Sequence, residues 1–251
     1  MKKYKLARLI LIASLGSNAY ADLRIDQDFG KKKVIEVSPG RYRIDSFYYQ
    51  FKDAVIREIG ASNEGVSPNS GFGGRDSAHL IWNGVDYYAL AANYLSSEQD
   101  RRNEEDVRLK IDRPVIPGGG ICAVFLHDKQ LKPVASVKIA LPENNYGTWC
   151  NGTYALGSAG KGIDGLLLTI SYYLTGEKPA QRAADIGKGW RHMTVLLRLQ
   201  KEANGKIRLV QDDRCLGNPN RYADIPSARK ALAKCKDVNN GWIMIEKIIK
   251  P

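Results

Sequence analysis

Gly165-Leu166-Leu167-Leu168-Thr169-Ile170-Ser171-Tyr172-Tyr173-Leu174 decides the fold: apolar, β-branched and aromatic residues follow one another behind a glycine-rich run. A segment of that composition reads as a β-strand, and similar segments lie on both sides of it. Downstream, Met193 to Leu199 and Lys206 to Val210 flank Ala203-Asn204-Gly205, a hairpin signal. Upstream, Ile121 to Leu126 and Val134 to Leu141 are joined by the polar stretch His127 to Pro133. Earlier still, His79 to Trp82 and Val85 to Leu90 enclose Asn83-Gly84, where a type I′ turn needs two residues that tolerate positive φ. Ala89 to Leu95 admits a helix as an alternative.

Nearer the start, Val34 to Val37 reads as a strand, Ser38-Pro39-Gly40 as a turn, and Tyr42 to Ile59 as one long or two shorter strands. Thr148 to Gly152 reads as a loop. Asp224-Ile225-Pro226 opens a helix, because proline is favoured in a first helical turn, and the helix lies near residues 226–236. Trp242 to Ile249 is expected to close the chain as a strand. Strand and helix do not alternate as a parallel α/β sheet requires. The expected fold is mainly β and sandwich-like, or α+β with an antiparallel sheet.

The first 21 residues read as an address. Lys2, Lys3, Lys5 and Arg8 precede the apolar run Leu9 to Leu15, and Ala19-Tyr20-Ala21 follows, the pattern of a cleaved secretory signal peptide of bacterial style. Residues 22–251 then form one β-rich exported domain, with the Gly/Ser-rich stretch 60–76 as the one place for a minor boundary. The mature chain holds no apolar run near the roughly 20 residues a spanning helix needs, so no transmembrane segment is expected. Localisation is expected to be periplasmic or secreted.

Cys122, Cys150, Cys215 and Cys235 all fall in the mature part, and an even count in an oxidising compartment implies two disulfides. Three pairings are possible; Cys122 with Cys150 and Cys215 with Cys235 is preferred, because each closes a local loop. No C-x-x-C is present, and His79, His127 and His192 lack metal-ligand spacing, so no metal is expected. The glycine runs 71–74, 118–120 and 157–162 lack the phosphate-loop pattern, and no cofactor is implied.

Charge is unevenly distributed. With 43% hydrophobic and 26% charged residues the composition is globular, yet the formal net charge is +11. Residues 176–251 carry 16 Lys and Arg against 8 Asp and Glu, whereas residues 22–175 are close to neutral. A basic surface attracts an acidic protein or an anionic envelope component. Its candidate contacts are Arg182, Lys188, Arg191, Arg198, Arg208, Arg214, Arg221, Arg229 and Lys230. Nucleic acid fits poorly, since no binding motif for it occurs and export separates the chain from most of it.

These features favour an exported, non-enzymatic binding protein, of immunity or inhibitor type, that engages an envelope or secreted partner. Two other classes are carried. One is a cysteine-dependent hydrolase or amidase using Cys150 and His192, a pair that requires thiolate and imidazole to meet in space. The other is an envelope structural or adhesion accessory that pairs through sheet edges.

Overall fold

The structure is a computed structural model and describes residues 23–26, 34–44, 46–61, 77–95, 120–142, 148–174 and 190–236. The leader, the polar link 96–106, the stretch 62–76 and the closing strand expected at Trp242 to Ile249 lie outside the described residues. Eleven strands and two helices are described, in the order β1 (Leu23–Asp26), β2 (Val34–Ser38), β3 (Arg41–Ile44), α1 (Ser46–Ala61), β4 (Ser77–Trp82), β5 (Val85–Leu95), β6 (Gly120–Asp128), β7 (Pro133–Lys138), β8 (Thr148–Ser158), β9 (Gly165–Leu174), β10 (Trp190–Lys201), β11 (Ile207–Gln211) and α2 (Ile225–Leu232).

Nine strands form one antiparallel sheet in the order β1-β4-β5-β6-β8-β9-β10-β11, with β7 added to β6, and β2 and β3 make a separate hairpin. The large sheet turns a corner at β6. That strand pairs with β5 along its whole length, meets β8 only where Gly120 faces Cys150, and gives the rest of its second edge to β7. Beyond the corner, β8 to β11 lie over the first half of the sheet. Leu80, Ala89, Ala91, Val124 and Leu126 of the first layer share one buried cluster with Leu166, Leu168, Ile170, Met193, Val195 and Leu197 of the second. The described fold is therefore mainly β and sandwich-like, as expected.

The open sides of the two layers meet through polar groups. Gln211 at the end of β11 donates from Nε2 to the Ala140 carbonyl at 3.1 Å and accepts from the Ala140 N–H at 2.9 Å. Where β11 stops, one side chain continues the ladder on β10: Asn220 accepts from the Thr194 N–H at 3.3 Å and donates to the Thr194 carbonyl at 3.0 Å.

Each layer carries a helix on its outer side. Phe51, Val55 and Ile59 recur every fourth residue, so they form one stripe of α1, and that stripe is buried against Leu90, Ala92, Tyr94, Ala123 and Phe125. The strands expected over Tyr42 to Ile59 are thus replaced from Ser46 onward by a helix. The aromatic and β-branched composition suggested a strand, but the four-residue recurrence governs which face is buried. On the second layer, Ala228 and Leu232 of α2 pack on Leu167, Leu196, Ala159 and Ile163. Asp224 caps this helix, accepting the Ser227 N–H at 2.7 Å, and Pro226 stands in its first turn.

Two further expectations are corrected. Ala89 to Leu95 is strand, part of β5. Thr148 to Gly152, read as a loop, opens β8, whose register slips between Cys150 and Gly152 and again between Thr153 and Ala155. Each slip inserts an extra residue and breaks the alternation of sides by which a strand is recognised.

Both Asn-Gly hairpins form, with different loops. Asn83 and Gly84 have φ of 53° and 75° in a two-residue turn between Trp82 and Val85, as a type I′ turn demands. At the second, Ala203, Asn204 and Gly205 make a three-residue loop; Gly205 has φ of 83°, and Glu202 and Lys206 close it with a hydrogen bond of 2.8 Å.

The cysteines pair as preferred, Cys122 with Cys150 and Cys215 with Cys235, at Cα separations of 5.5 and 5.7 Å. The first bridge joins β6 to β8 at the corner between the layers. The second ties the chain just after β11 to the end of α2. No helix among the described residues is long and apolar enough to cross a membrane.

Candidate functional site

Cys150 and His192 sit on strands that flank β9, and register shows how they are turned. Cys150 pairs with Tyr172, whereas His192 pairs with Ser171. Neighbouring residues of a strand point to opposite faces. The Cys150 side chain therefore lies in the buried space between the layers, and His192 stands exposed on the outer face with its ring edge-on to Tyr154 at 5.2 Å. Cys150 is fully buried and bridged to Cys122, and a disulfide sulfur is not a thiolate. The two residues are not brought together.

The other histidines have separate partners. His79 bonds Asp86 at 2.8 Å and stacks on Tyr88, and buried His127 bonds Glu58 at 2.9 Å. Among the described residues no three His, Cys, Asp or Glu side chains gather in a way that would hold a metal. Tyr173 is as buried as Tyr172 and stacks on Trp149, while Tyr49 and Tyr154 are exposed.

Four of the nine basic candidates come to one face. On β10, Leu196 lies under α2, so Arg198 and Gln200, two and four residues on, share its outer side. Gln200 pairs with Arg208, which places Arg208 there too, and Arg214 reaches the same side by binding the Asp212 that also holds Arg198. Arg221 is exposed beside Tyr222, whose carbonyl accepts from the outward Thr194 hydroxyl at 2.8 Å. Lys230 projects from α2 away from buried Ala228 and Leu232. Arg208, Arg214, Arg221 and Lys230 thus share the outer face of the second layer.

The remaining candidates are placed otherwise. Arg198 is 5% exposed and gives its guanidinium to Asp212 at 3.0 Å, so it supports the face from beneath. Arg229 is half-buried and donates to the Ser158 carbonyl at 2.7 Å. Arg191 is exposed near the start of β10, paired with inward-facing Tyr172, away from the group. Arg182 and Lys188 lie outside the described residues. Sequence reading passed over Lys201 and Lys206, exposed where the β10–β11 hairpin turns; the hairpin signal between them was the available pointer.

Electrostatics of this face follow from how its acids are used. Residues 190–236 hold 11 Lys and Arg and four acids: Glu202, Asp212, Asp213 and Asp224. Each acid has a partner within residues 190–236. Glu202 pairs with Arg208 at 3.4 Å, Asp213 accepts from Gln211 and Asn218, and Asp224 caps α2. Asp212 accepts two bonds of 2.8 Å from Arg214 and one of 3.0 Å from Arg198. Lys201, Lys206, Arg221 and Lys230 form no ion pair with any of the four.

The Arg214 guanidinium, with Arg198 adding to it, holds the Asp212 carboxyl down to about 2 against the upward push of burial. A folded value below the unfolded one stabilises above pH ~4 and is lost as the pH falls toward 2, an effect on the order of 2 kcal/mol. Urea midpoints at pH 5 and pH 2.5 check this. Wild type is expected to lose more stability over that interval than Asp212→Asn, which has no proton to bind; equal losses would refute the assignment.

No protein-family model matches the sequence, and neither a curated protein nor a solved structure matches it. What the fold and the face define is a class: a disulfide-bonded β-sandwich, helix-covered on both outer sides, with a concentrated basic surface.

Proposed function

We propose that the protein is an exported binding protein that receives an acidic envelope or secreted partner on the outer basic face of its second layer. The observation that carries this reading is the charge balance of residues 190–236, 11 Lys and Arg against four acids, with Lys201, Lys206, Arg221 and Lys230 exposed and in no ion pair with those acids. Such a surface carries a net positive potential, which speeds encounter with an anionic partner and repels cationic ones. Export is supported by the leader pattern and by two disulfides, which persist in oxidising compartments.

Charge reversal tests it. The triple variant Arg208→Glu, Arg221→Glu, Lys230→Glu changes exposed side chains and is expected to stay folded, losing no more than about 1 kcal/mol with the surface pair of Arg208 and Glu202. Its affinity for an immobilised acidic protein and for lipopolysaccharide vesicles, measured side by side at low salt, should fall at least about tenfold for whichever the wild type binds. Wild-type binding should itself weaken steeply with added salt. Retention of full affinity by the triple variant would defeat the reading.

A further inference from the structure

Asparagine followed by glycine occurs four times in the chain, at Asn83, Asn151, Asn204 and Asn240. The last lies outside the described residues, and the other three set one dipeptide in three surroundings. We infer that Asn83-Gly84 is a site of self-modification: its side-chain amide is lost to water and an isoaspartyl link enters the turn between β4 and β5. At Asn151 and Asn204 the fold holds the same dipeptide back. The site lies in the first layer and is independent of the basic face.

The reaction needs only the chain and water. The Gly84 nitrogen attacks the side-chain carbonyl carbon of Asn83 and a new C–N bond forms. The bond from that carbon to Nδ2 breaks, and the amide nitrogen leaves as ammonia, carrying off the proton of the attacking N–H. Water then opens the five-membered imide at either of its two carbonyls, giving aspartate or isoaspartate. Glycine favours the attack because no side chain crowds its nitrogen. Two conditions remain, that the glycine N–H is not already bonded and that the asparagine amide is free to turn onto it.

Asn83 and Gly84 meet both. They are exposed, and among the described residues neither the Asn83 side chain nor the Gly84 N–H makes a hydrogen bond. At Asn204 both groups are occupied. Its Oδ1 accepts from the Lys206 N–H at 2.8 Å, its Nδ2 donates to Glu202 Oε2 at 3.3 Å, and the Gly205 N–H donates to the Glu202 carbonyl at 2.9 Å. A Cβ built on either Gly84 or Gly205 would meet nothing within 4 Å, so room does not separate the two turns; hydrogen bonding does. Asn151 is half-buried within β8, and its Nδ2 donates to the buried Ser171 hydroxyl at 3.0 Å. Surrendering these bonds before reaction slows Asn204 at least about tenfold relative to Asn83.

The product bears on the fold. An isoaspartyl link runs the main chain through the side chain and adds one backbone atom. The β4–β5 turn has two residues with φ of 53° and 75°, and it sets Trp82 opposite Val85. An extra atom there disturbs that register, and Trp82 is 4% exposed in the shared core.

Incubation of the purified protein at mildly alkaline pH and 37 °C tests the site, with peptide mapping by mass spectrometry and labelling of isoaspartate by an isoaspartyl methyltransferase. Asn83 is expected to convert at least about tenfold faster than Asn151 or Asn204 while the protein is folded, and the gap to collapse in concentrated urea, where no turn holds any of them. Asn83→Asp should melt close to wild type, because aspartate also enters the left-handed region and Asp-Gly suits the same turn. The aged isoaspartyl form, separated by ion exchange, should melt below Asn83→Asp. Conversion of Asn151 or Asn204 as fast as Asn83 in the folded protein overturns the inference, as does a gap that persists undiminished in urea. An isoaspartyl form that melts no lower than Asn83→Asp overturns the consequence drawn for the turn.

Discussion

Replacing Asp212 with Ala is expected to cost about 3–5 kcal/mol of stability, because the substitution leaves the Arg198 guanidinium, 5% exposed, without its carboxylate. Arg214 is not affected to the same degree; it is 48% exposed and water can solvate it. The comparison that isolates the pair is Asp212→Ala with Arg198→Leu. Removing both charges takes away the buried cation, so the double variant should be more stable than Asp212→Ala alone. Urea denaturation of the three proteins checks this, and a double variant no better than Asp212→Ala would place the loss in packing or in the bonds to Arg214 instead.

The second large effect belongs to the bridge at the corner of the sheet. Cys122→Ala with Cys150→Ala opens a loop spanning 28 positions, for which the entropy of the unfolded chain alone gives about 3.5 kcal/mol. The location adds to this. Backbone pairing between β6 and β8 is confined to Gly120 and Cys150, so the bridge is the main covalent and local tie between the layers there. The urea midpoint should fall accordingly, and the protein as purified should offer no thiol to an alkylating reagent before unfolding and reduction. A midpoint that does not move would mean that the shared core holds the corner by itself.

Both effects involve residues whose types were evident from the sequence and whose partners were only partly so. Cysteine pairing was legible because short loops close at least entropic cost, and only two local loops were available. The strands β9, β10 and β11 were legible because their composition and their turn agree. Helix α1 was not, since Phe47-Tyr48-Tyr49 drew attention to composition while Phe51, Val55 and Ile59 carried the period that mattered. In β8, two register slips hid the strand. The basic surface was visible as a count, but which charges reach solvent depended on pairings across a hairpin. Arg198 looks like any surface arginine until β11 brings Asp212 beside it, 14 positions later. The bond beneath α1 was hidden with α1 itself, because Glu58 meets His127 across 69 positions only once that segment is helical.

The single amide of Asn220 has a bearing on how molecules of this protein meet one another. A strand whose neighbour ends early presents bare N–H and C=O groups, and such an edge is a template on which a strand from another molecule can grow. Asn220 fills both groups of Thr194 at the place where β11 no longer covers β10. One side chain there terminates the ladder, and a chain rich in long, apolar strands gains a local guard against edge-to-edge aggregation.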